Sequence, residues 1–264
     1  MELILEFKGK LGNYQIVETN DGTFTVHSEF FNENCHSTAG AYEETIYNYI
    51  EGCEVERFLA ENNIVNILEI GFGVAVGAEC LLDKFLGKTQ TVVNFVTTEI
   101  DRDFAVWALE HSPFAKKYRE KFEDLTIQKD CITFKISNFN FIILVGDARE
   151  TLPTFRNLKF HCVFQDAFSP KKNPTLWTVE WFKLIYELSD PSVILSTYSS
   201  HMSIRASLLC AGFLVETRKG FGMKRTCTRA SRQEYKKLTA VMEEIKKHAH
   251  QALTDSNYQE MLKD

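Results

Sequence analysis

Short apolar runs alternate with amphipathic segments along most of the chain after residue 64. Runs of about four to eight apolar residues have the length of buried strands, whereas the segments between them have apolar residues at helical spacing. Strands that alternate with helices indicate a parallel sheet covered on both faces, a doubly wound α/β core. The strands are predicted at Ile64 to Ile70, Thr91 to Thr97, Phe141 to Val145, His161 to Gln165 and Ser192 to Ser196, and the helices near 75–86, 102–122, 175–188 and 201–211.

Further elements are predicted on both sides of this region. Phe213 to Glu216 and Gly222 to Thr228 read as two more strands, a hairpin that closes one sheet edge and brings the sheet to seven strands. Near the start, a turn signal at Asn20-Asp21-Gly22 predicts another hairpin, followed by helical spacing over 41–60. We therefore predict a hairpin and helical appendage over 1–60, a core over 61–230, and an extension over 231–264 with a charged helix at 231–250 and a tail that frays after about 253.

Composition narrows the possible functions. The 264 residues are 44% hydrophobic, enough for one sizeable core, and the net charge of -6 leaves only a local patch for nucleic acid. Seven dispersed cysteines without a C-x-x-C pair predict neither a metal site nor disulfides. The first residues lack the pattern of a signal peptide, and no apolar run is long enough for a membrane helix. We expect a cytoplasmic protein without membrane or metal.

A glycine-rich loop, Gly71-Phe72-Gly73-Val-Ala-Val-Gly77, follows the first core strand and opens a helix. A dinucleotide fingerprint needs a small residue at position 76, which is Val76 here, so NAD is disfavoured. The spacing is instead typical of class I methyltransferases, which have a Rossmann-like fold and bind S-adenosyl-L-methionine. Glu69 before the loop suits a cationic aminoacyl group and would repel phosphate. Gly71, Phe72 and Gly73 are therefore predicted cofactor contacts.

Acidic residues also end the next two core strands. A carboxylate at Glu99 can accept both ribose hydroxyl hydrogens of a nucleoside, with Asp101 as the competing choice. Asp147, with the backbone amide of Ala148, can hold the edge of adenine. Ligands bind at the carboxyl ends of the strands in an open α/β sheet, which favours a joint role for these acids.

The loop after the fourth core strand contains Asp166, Phe168, Pro170 and Trp177. This pattern suits methylation of an amine, because Asp166 can accept a hydrogen bond from the nucleophile while Phe168 or Trp177 stacks on a base. Asp166 can equally serve only to support the cofactor. Of the histidines, neither His36 nor His201 is favoured as a base, since lone histidines are more often structural.

Basic residues cluster near the second hairpin. Six positive charges lie within 15 residues, which predicts a local phosphate-binding patch, and Lys171 and Lys172 flank the proposed base pocket. A solvated hairpin, with Lys224 and Arg225 paired to internal acids, is the alternative. The six are Arg218, Lys219, Lys224, Arg225, Arg229 and Arg232.

The later motifs resemble the methyltransferase domain of the MnmC-type tRNA-modifying proteins. They are Asp166-Ala-Phe-Ser-Pro-x-x-Asn-Pro-x-x-Trp177, Leu195-Ser-Thr-Tyr-Ser199, Arg205, Ala211-Gly-Phe213 and Gly220-Phe-Gly-x-Lys-Arg225, and the resemblance covers roughly residues 23–229. The segment Cys35-His36-Ser37-x-x-Gly40-Ala41-x-x-Glu44 is similar to the stand-alone members that lack the oxidase domain.

The resemblance implies methylation of the 5-aminomethyl amine of the wobble uridine in tRNA, which gives 5-methylaminomethyl(-2-thio)uridine. No second glycine motif is present to bind FAD, so no FAD is expected. The resemblance assigns no function to the 231–250 helix. Alternatives are an aminopropyltransferase, a small-molecule amine methyltransferase and a non-catalytic RNA-binding module. The predicted residues are catalytic Asp166, Phe168 and Tyr198; cofactor-binding Glu44, Glu69, Gly71, Phe72, Gly73, Glu99, Asp147, Ala148 and Asp166; and RNA-binding Lys171, Lys172, Trp177, Arg205, Lys219, Lys224 and Arg225.

Overall fold

A mixed sheet of nine strands forms the centre of the protein. The computed structural model describes residues 6–20, 22–38, 40–222, 224–233 and 239–262. Five neighbouring strands of the sheet are parallel, and the strand order is β12-β13-β11-β10-β5-β6-β9-β8-β7. The strands are β1 Glu6–Lys8, β2 Asn13–Glu18, β3 Phe24–Ser28, β4 Glu33–Asn34, β5 Ile64–Ile70, β6 Val92–Glu99, β7 Glu123–Ile127, β8 Cys131–Ile136, β9 Phe139–Val145, β10 Phe160–Gln165, β11 Ser189–Thr197, β12 Leu214–Lys219 and β13 Thr226–Ser231.

Helices cover both faces of this sheet, as the alternating pattern predicts. The predicted helix over 102–122 is divided at Ser112, whose hydroxyl caps a second helix that has Pro113 in its first turn. The α-helices are α1 Ala41–Thr45, α2 Val55–Glu61, α3 Val76–Phe85, α4 Arg102–His111, α5 Pro113–Tyr118, α6 Ala148–Thr151, α7 Val179–Leu188, α8 Met202–Cys210, α9 Thr239–Lys247 and α10 Tyr258–Met261. A π-helix spans Ile46–Glu51, and 3-10 turns span Arg119–Lys121, Leu152–Phe155, Pro174–Trp177 and Ala249–Gln251.

The α/β class I fold is confirmed, but the predicted number of seven strands is wrong. The seven expected strands are present, and the antiparallel strands β7 and β8 extend the edge beside β9. In β8 the side chains of Ile132, Phe134 and Ile136 are buried while Lys135 is exposed, so the period of two expected for a half-buried strand is present. The second predicted hairpin does close the opposite edge, although β13 begins later than expected, at Thr226.

The amino-terminal hairpin is larger than predicted. Strands β2 and β3 pair as expected, but β1 and β4 flank them and complete a separate sheet of four strands. Asp21 of the predicted turn lies outside the described residues. Tyr14 and Val26 of this sheet belong to the same buried apolar cluster as the central strands, so the appendage packs directly on the core.

The carboxyl-terminal segment is also packed on the core. Of the predicted 231–250 helix, the described residues show α9 over Thr239–Lys247. Ser231 belongs instead to β13, and residues 234–238 lie outside the described part. Leu253 is 1% exposed and belongs to the apolar cluster beneath α7 and α8. The expected fraying after residue 253 is therefore wrong for the residues described up to 262. Among those described, no helix is both long and apolar enough to cross a membrane.

Candidate active site

Two cavities meet at the carboxyl-terminal edge of the parallel strands. The first, about 350 Å³, is lined by the loops that follow β5, β6, β9 and β10. The second, about 390 Å³, lies between β4, the amino-terminal helices and the β12–β13 hairpin. Asp166, Ala167, Phe168, Cys35 and His36 line both cavities. A ligand in one cavity can therefore meet a ligand in the other beside Asp166.

The glycine loop shapes the first cavity through backbone conformation and close packing. Gly71 and Gly73 have φ of 98° and 54°, a region that favours glycine. A Cβ atom at Gly71 would lie 3.0 Å from the carbonyl oxygen of Asp166, and one at Gly77 would lie 1.8 Å from Oε1 of Glu69. The first and third glycines therefore permit close packing, against the β10 loop and against Glu69 respectively.

Glu69 is buried beneath this loop rather than exposed to a ligand. Its Oε2 accepts a 2.9 Å hydrogen bond from the Thr97 hydroxyl, and the residue is 4% exposed. Burial raises the pKa of Glu69 well above its usual value. Neither Glu69 nor the buried Phe72 lines a cavity, so their placement does not support the predicted direct cofactor contacts. A buried carboxyl packed on Gly77 is instead part of the helix–strand junction.

The structure separates the roles of Glu99 and Asp101. Glu99 lines the first cavity, where its carboxylate accepts hydrogen bonds from the backbone amides of Gly73 (3.2 Å) and Asp101 (3.0 Å). Burial raises the pKa of Glu99 to about 7. Asp101 is fully buried, where its carboxylate caps α4 and accepts hydrogen bonds from the Lys10 and Leu11 amides and the Tyr14 hydroxyl. Of the two, Glu99 is the one available to a ribose.

The residues on the remaining walls suit an adenosyl group. Asp147 and Ala148 line the cavity at the end of β9, and the Asp147 carboxylate also caps α6 through the Arg149 amide. The apolar side chains of Ile100 and Leu176 line the same cavity. A carboxylate for hydroxyl groups, a polar edge and apolar walls match the chemistry of a nucleoside.

Asp166 stands where the two cavities meet and is held by a tyrosine. Its Oδ1 accepts a 2.6 Å hydrogen bond from the Tyr49 hydroxyl, and its Oδ2 lies 3.6 Å from Nε2 of His36. Burial raises the pKa of Asp166 well above its usual value and lowers that of His36 to about 4. His36 is therefore neutral near pH 7, and its buried Nδ1 has no hydrogen-bond partner among the described residues.

The second cavity is rich in carboxylates. Glu33, Glu44 and Asp166 line it, together with Tyr198 and Lys224. The Lys224 ammonium lies 3.1 Å from Oε1 of Glu44 and 4.7 Å above the ring of Tyr198. The Tyr198 hydroxyl donates to the carbonyl of Ala167 at 2.9 Å, which ties β11 to the loop after β10.

Sequence relatives agree with this geometry. A family described as S-adenosyl-L-methionine-dependent methyltransferase matches residues 110–233. The chain carries an S-adenosyl-L-methionine-dependent methyltransferase domain. The predicted cofactor is thus confirmed, and the predicted contacts that line a cavity suited to it are Gly71, Gly73, Glu99, Asp147, Ala148 and Asp166.

Several relatives of this methyltransferase are MnmC-like. The chain is 27% identical to the tRNA 5-methylaminomethyl-2-thiouridine biosynthesis bifunctional protein MnmC of Ectopseudomonas mendocina over 74% of its own length. It is 31% identical to the uncharacterized protein MJ0670 of Methanocaldococcus jannaschii over 86% of its length. The chain spans 61% of the length of MJ0670 and 33% of that of this MnmC.

A solved structure supports the same relationship. The crystal structure of MNMC2 from Aquifex aeolicus superposes with a TM-score of 0.70 at 26% identity and covers 97% of this chain and 85% of that one. The predicted resemblance to MnmC-type methyltransferases is therefore confirmed.

Other predicted residues of this methyltransferase lie elsewhere than expected. Glu44 lines the second cavity, not the cofactor cavity. Trp177 is fully buried and donates from its indole to the Phe168 carbonyl at 2.8 Å, so its ring offers no face to a base.

Phe168 lines both cavities, and its ring stacks on Phe31 with centroids 4.2 Å apart. Its placement suits contact with a substrate beside the cofactor.

Most of the predicted basic residues fall into a buried and an exposed group, while Arg218 and Arg232 are partly buried and donate to backbone carbonyls. Arg205 is 8% exposed and donates to the Thr226 and Thr228 hydroxyls at 3.0 Å, so it braces β13 and is not placed to meet RNA. Arg229 is similarly enclosed, in ion pairs with Glu54 and Glu216. The exposed group comprises Lys171, Lys172, Lys219, Lys224 and Arg225.

Tyr49 and His36 are among the residues of the site that the sequence pattern did not indicate. Tyr49 lies within the segment 41–60 that was predicted only to be helical, and its π-helix, a distortion frequent at functional sites, directs the hydroxyl to Asp166. His36 was treated as structural, although it lines both cavities. Its position in the Cys35-His36-Ser37 segment, which resembles stand-alone family members, was the signal that pointed to a role.

Proposed function

We propose that this methyltransferase modifies tRNA, transferring a methyl group to the amine of 5-aminomethyluridine at the wobble position. The observation that carries the proposal is the placement of Asp166 at the junction of the cofactor cavity and a second, carboxylate-lined cavity. Bound S-adenosyl-L-methionine supplies an electrophilic methyl group. The chain's own residues must then bind an amine, remove its proton and hold it beside Asp166.

The second cavity suits an incoming alkylammonium. Glu33 and Glu44 place negative charge on its walls, and attraction between opposite charges brings the ammonium toward Asp166. The raised pKa of Asp166 gives its carboxylate a greater affinity for a proton than a free aspartate has. Asp166 can therefore accept a hydrogen bond or a proton from the amine, which must present its lone pair.

Neighbouring groups hold Asp166 for that task. The hydrogen bond from Tyr49 fixes Oδ1 and leaves Oδ2 on the side of His36. Because His36 is neutral, it adds no positive charge that would repel an ammonium. Lys224 is engaged with Glu44, and its displacement by the substrate ammonium would exchange one cation for another at the same carboxylate.

A polynucleotide can reach this cavity from a basic surface. Lys171 and Lys172 follow Asp166 in the same loop, and Lys219 and Arg225 lie on the β12–β13 hairpin. Lys224, on the same hairpin, connects this surface to the second cavity. Phosphate contacts from such residues position RNA, while Phe168 is placed to contact the base. A tRNA-modifying role also implies a cytoplasmic location.

A small polyamine is the second candidate substrate. The loop from Ala167 to Trp177 contains no acidic residue, but Glu33 and Glu44 from the amino-terminal part form an acidic cavity with Asp166 in three dimensions. Such a cavity suits methylation of a polyamine amine as well as of a tRNA aminomethyl group. The exposed lysines around the opening favour the polyanionic substrate.

Incubation with labelled S-adenosyl-L-methionine separates these substrates. Label is expected in a 5-methylaminomethyl nucleoside when the tRNA carries 5-aminomethyluridine, and none when the same tRNA carries plain uridine there. Spermidine is tested in parallel as the polyamine. Label in spermidine and not in tRNA would contradict the proposal and favour the second candidate.

A further inference from the structure

The carboxyl-terminal segment reaches the cofactor cavity. Tyr258, in α10, lines that cavity together with Ala148, Thr175 and Leu176. The residue lies outside the 110–233 region matched by the methyltransferase family. Asp147 and Ala148, at the end of β9 where an adenine edge is expected, line the same cavity.

Specific contacts hold this segment against the core. Leu253 is 1% exposed; its amide donates to the Ser207 hydroxyl at 2.8 Å, and its carbonyl accepts from the Val179 amide at 2.7 Å. The Asp255 amide donates to the Glu180 carboxylate at 3.0 Å. The segment is therefore fixed to the first turn of α7 and to α8 just before it enters the cavity wall.

An ion pair connects the segment to the adenine side. The Asp255 carboxylate pairs with the guanidinium of Arg149, the residue directly after Asp147 and Ala148 in α6. This ion pair joins the segment that carries Tyr258 to the helix that follows the Asp147–Ala148 turn.

We infer that Tyr258 forms part of the binding surface for the adenosyl group. The carboxyl-terminal segment over 252–262 thereby contributes to cofactor binding. An aromatic ring supplies a large, rigid apolar surface on which a base can stack. The inference rests on the cofactor and holds whichever amine is the substrate.

Binding of S-adenosylhomocysteine without tRNA, followed by calorimetry, tests this role. Tyr258→Ala is expected to raise the Kd at least about fivefold, and Tyr258→Phe, which keeps the ring, to stay within about twofold of the native protein. Met261→Ala, an exposed side chain on the same short helix, is the matched control and leaves the Kd unchanged. A Tyr258→Ala protein that melts normally and binds as tightly as the native chain would overturn the inference.

Hydrogen exchange of the unmutated chain gives an independent measurement. S-adenosylhomocysteine is expected to slow amide exchange over 252–262 as well as over the Gly71–Gly73 loop. Protection of the glycine loop without any change over 252–262 would overturn the role of Tyr258. Because both experiments omit RNA, a failure to methylate tRNA leaves their outcome intact and counts against the substrate proposal alone.

Discussion

The Tyr49 hydroxyl donates a 2.6 Å hydrogen bond to Oδ1 of Asp166 and so joins the amino-terminal π-helix to the loop after a central strand. Residues 117 positions apart in the sequence thus form one unit of the active site. The amino-terminal appendage is consequently a structural component of the site, and its contact with Asp166 can be tested separately from cofactor binding.

Tyr49→Phe is expected to lower kcat about 10- to 100-fold, because a hydrogen bond to a charged group contributes about 1.5–3 kcal/mol. The Kd for S-adenosylhomocysteine is expected to change little, since Tyr49 does not line the cofactor cavity. Tyr42→Phe is the matched control, because it also removes a tyrosine–aspartate hydrogen bond, to Asp83 away from both cavities. Equal losses of activity in the two variants would argue against a role through Asp166.

Asp166→Ala is expected to abolish turnover while tRNA binding is retained, because the carboxylate acts on the amine and the RNA contacts lie on the surface. Single-turnover methylation and filter binding of the same tRNA measure the two properties. Asp166→Asn keeps the shape but loses the charge, and we expect it to be nearly as inactive. Turnover at the native rate in either variant would remove Asp166 from the chemistry.

Because Glu99 ionises near neutral pH, the affinity for the cofactor is expected to increase as pH rises. Its pKa of about 7 means that the carboxylate, the form that accepts both ribose hydroxyls, increases about tenfold in population between pH 6 and 8. The affinity for S-adenosylhomocysteine is expected to rise by up to that factor over the same range. Glu99 affects the free energy of unfolding of the cofactor-free protein in the opposite direction. Its stabilising contribution is present below about pH 4.5 and is lost as pH rises through about 7.

Glu99→Gln provides the comparison for this pH dependence. The glutamine does not titrate, so its binding curve is expected to be flat between pH 6 and 8 and weaker than that of the native protein at pH 8. A native binding curve without pH dependence, measured by calorimetry in matched buffers, would show that ionisation of Glu99 does not control binding.

Replacement of an exposed basic residue is expected to affect tRNA binding, whereas replacement of the buried Arg205 is expected to affect stability. Lys219→Ala and Arg225→Ala are expected to weaken tRNA binding and to reduce the slope of log K against log salt by about one charge each. Arg205→Ala is expected to lower the free energy of unfolding by about 2 kcal/mol or more, because it removes buried hydrogen bonds to Thr226 and Thr228. Salt titrations and urea unfolding distinguish these effects. A normal unfolding curve for Arg205→Ala with a reduced salt slope would reverse its assignment.

Gly77→Ala is expected to destabilise the protein by about 1–3 kcal/mol, because the added Cβ would lie 1.8 Å from the buried Glu69 carboxylate. Combining it with Glu69→Asp, which shortens that side chain, should restore part of the lost stability. Urea unfolding of the single and double variants measures this coupling. An additive double variant would show that the two residues do not compete for space.

The sequence alone determined the α/β class, the glycine loop and the placement of Glu99, Asp147 and Asp166 at strand ends. These features follow from local periodicity and turn chemistry, which neighbouring residues encode. The β7–β8 extension escaped prediction although the burial alternation of β8 is equally local.

The tertiary structure decided which side chains the site contains. It chose Glu99 over Asp101, buried Glu69, Trp177 and Arg205, and brought Tyr49, His36 and Tyr258 to the cavities. These outcomes depend on contacts between elements far apart in the chain, and a buried charge or ring has the same local pattern as an exposed one. Tyr258, for example, lines the cofactor cavity because Leu253 and Asp255 hold its segment against α7, α8 and Arg149. The spacing of residues in the sequence does not predict such long-range contacts.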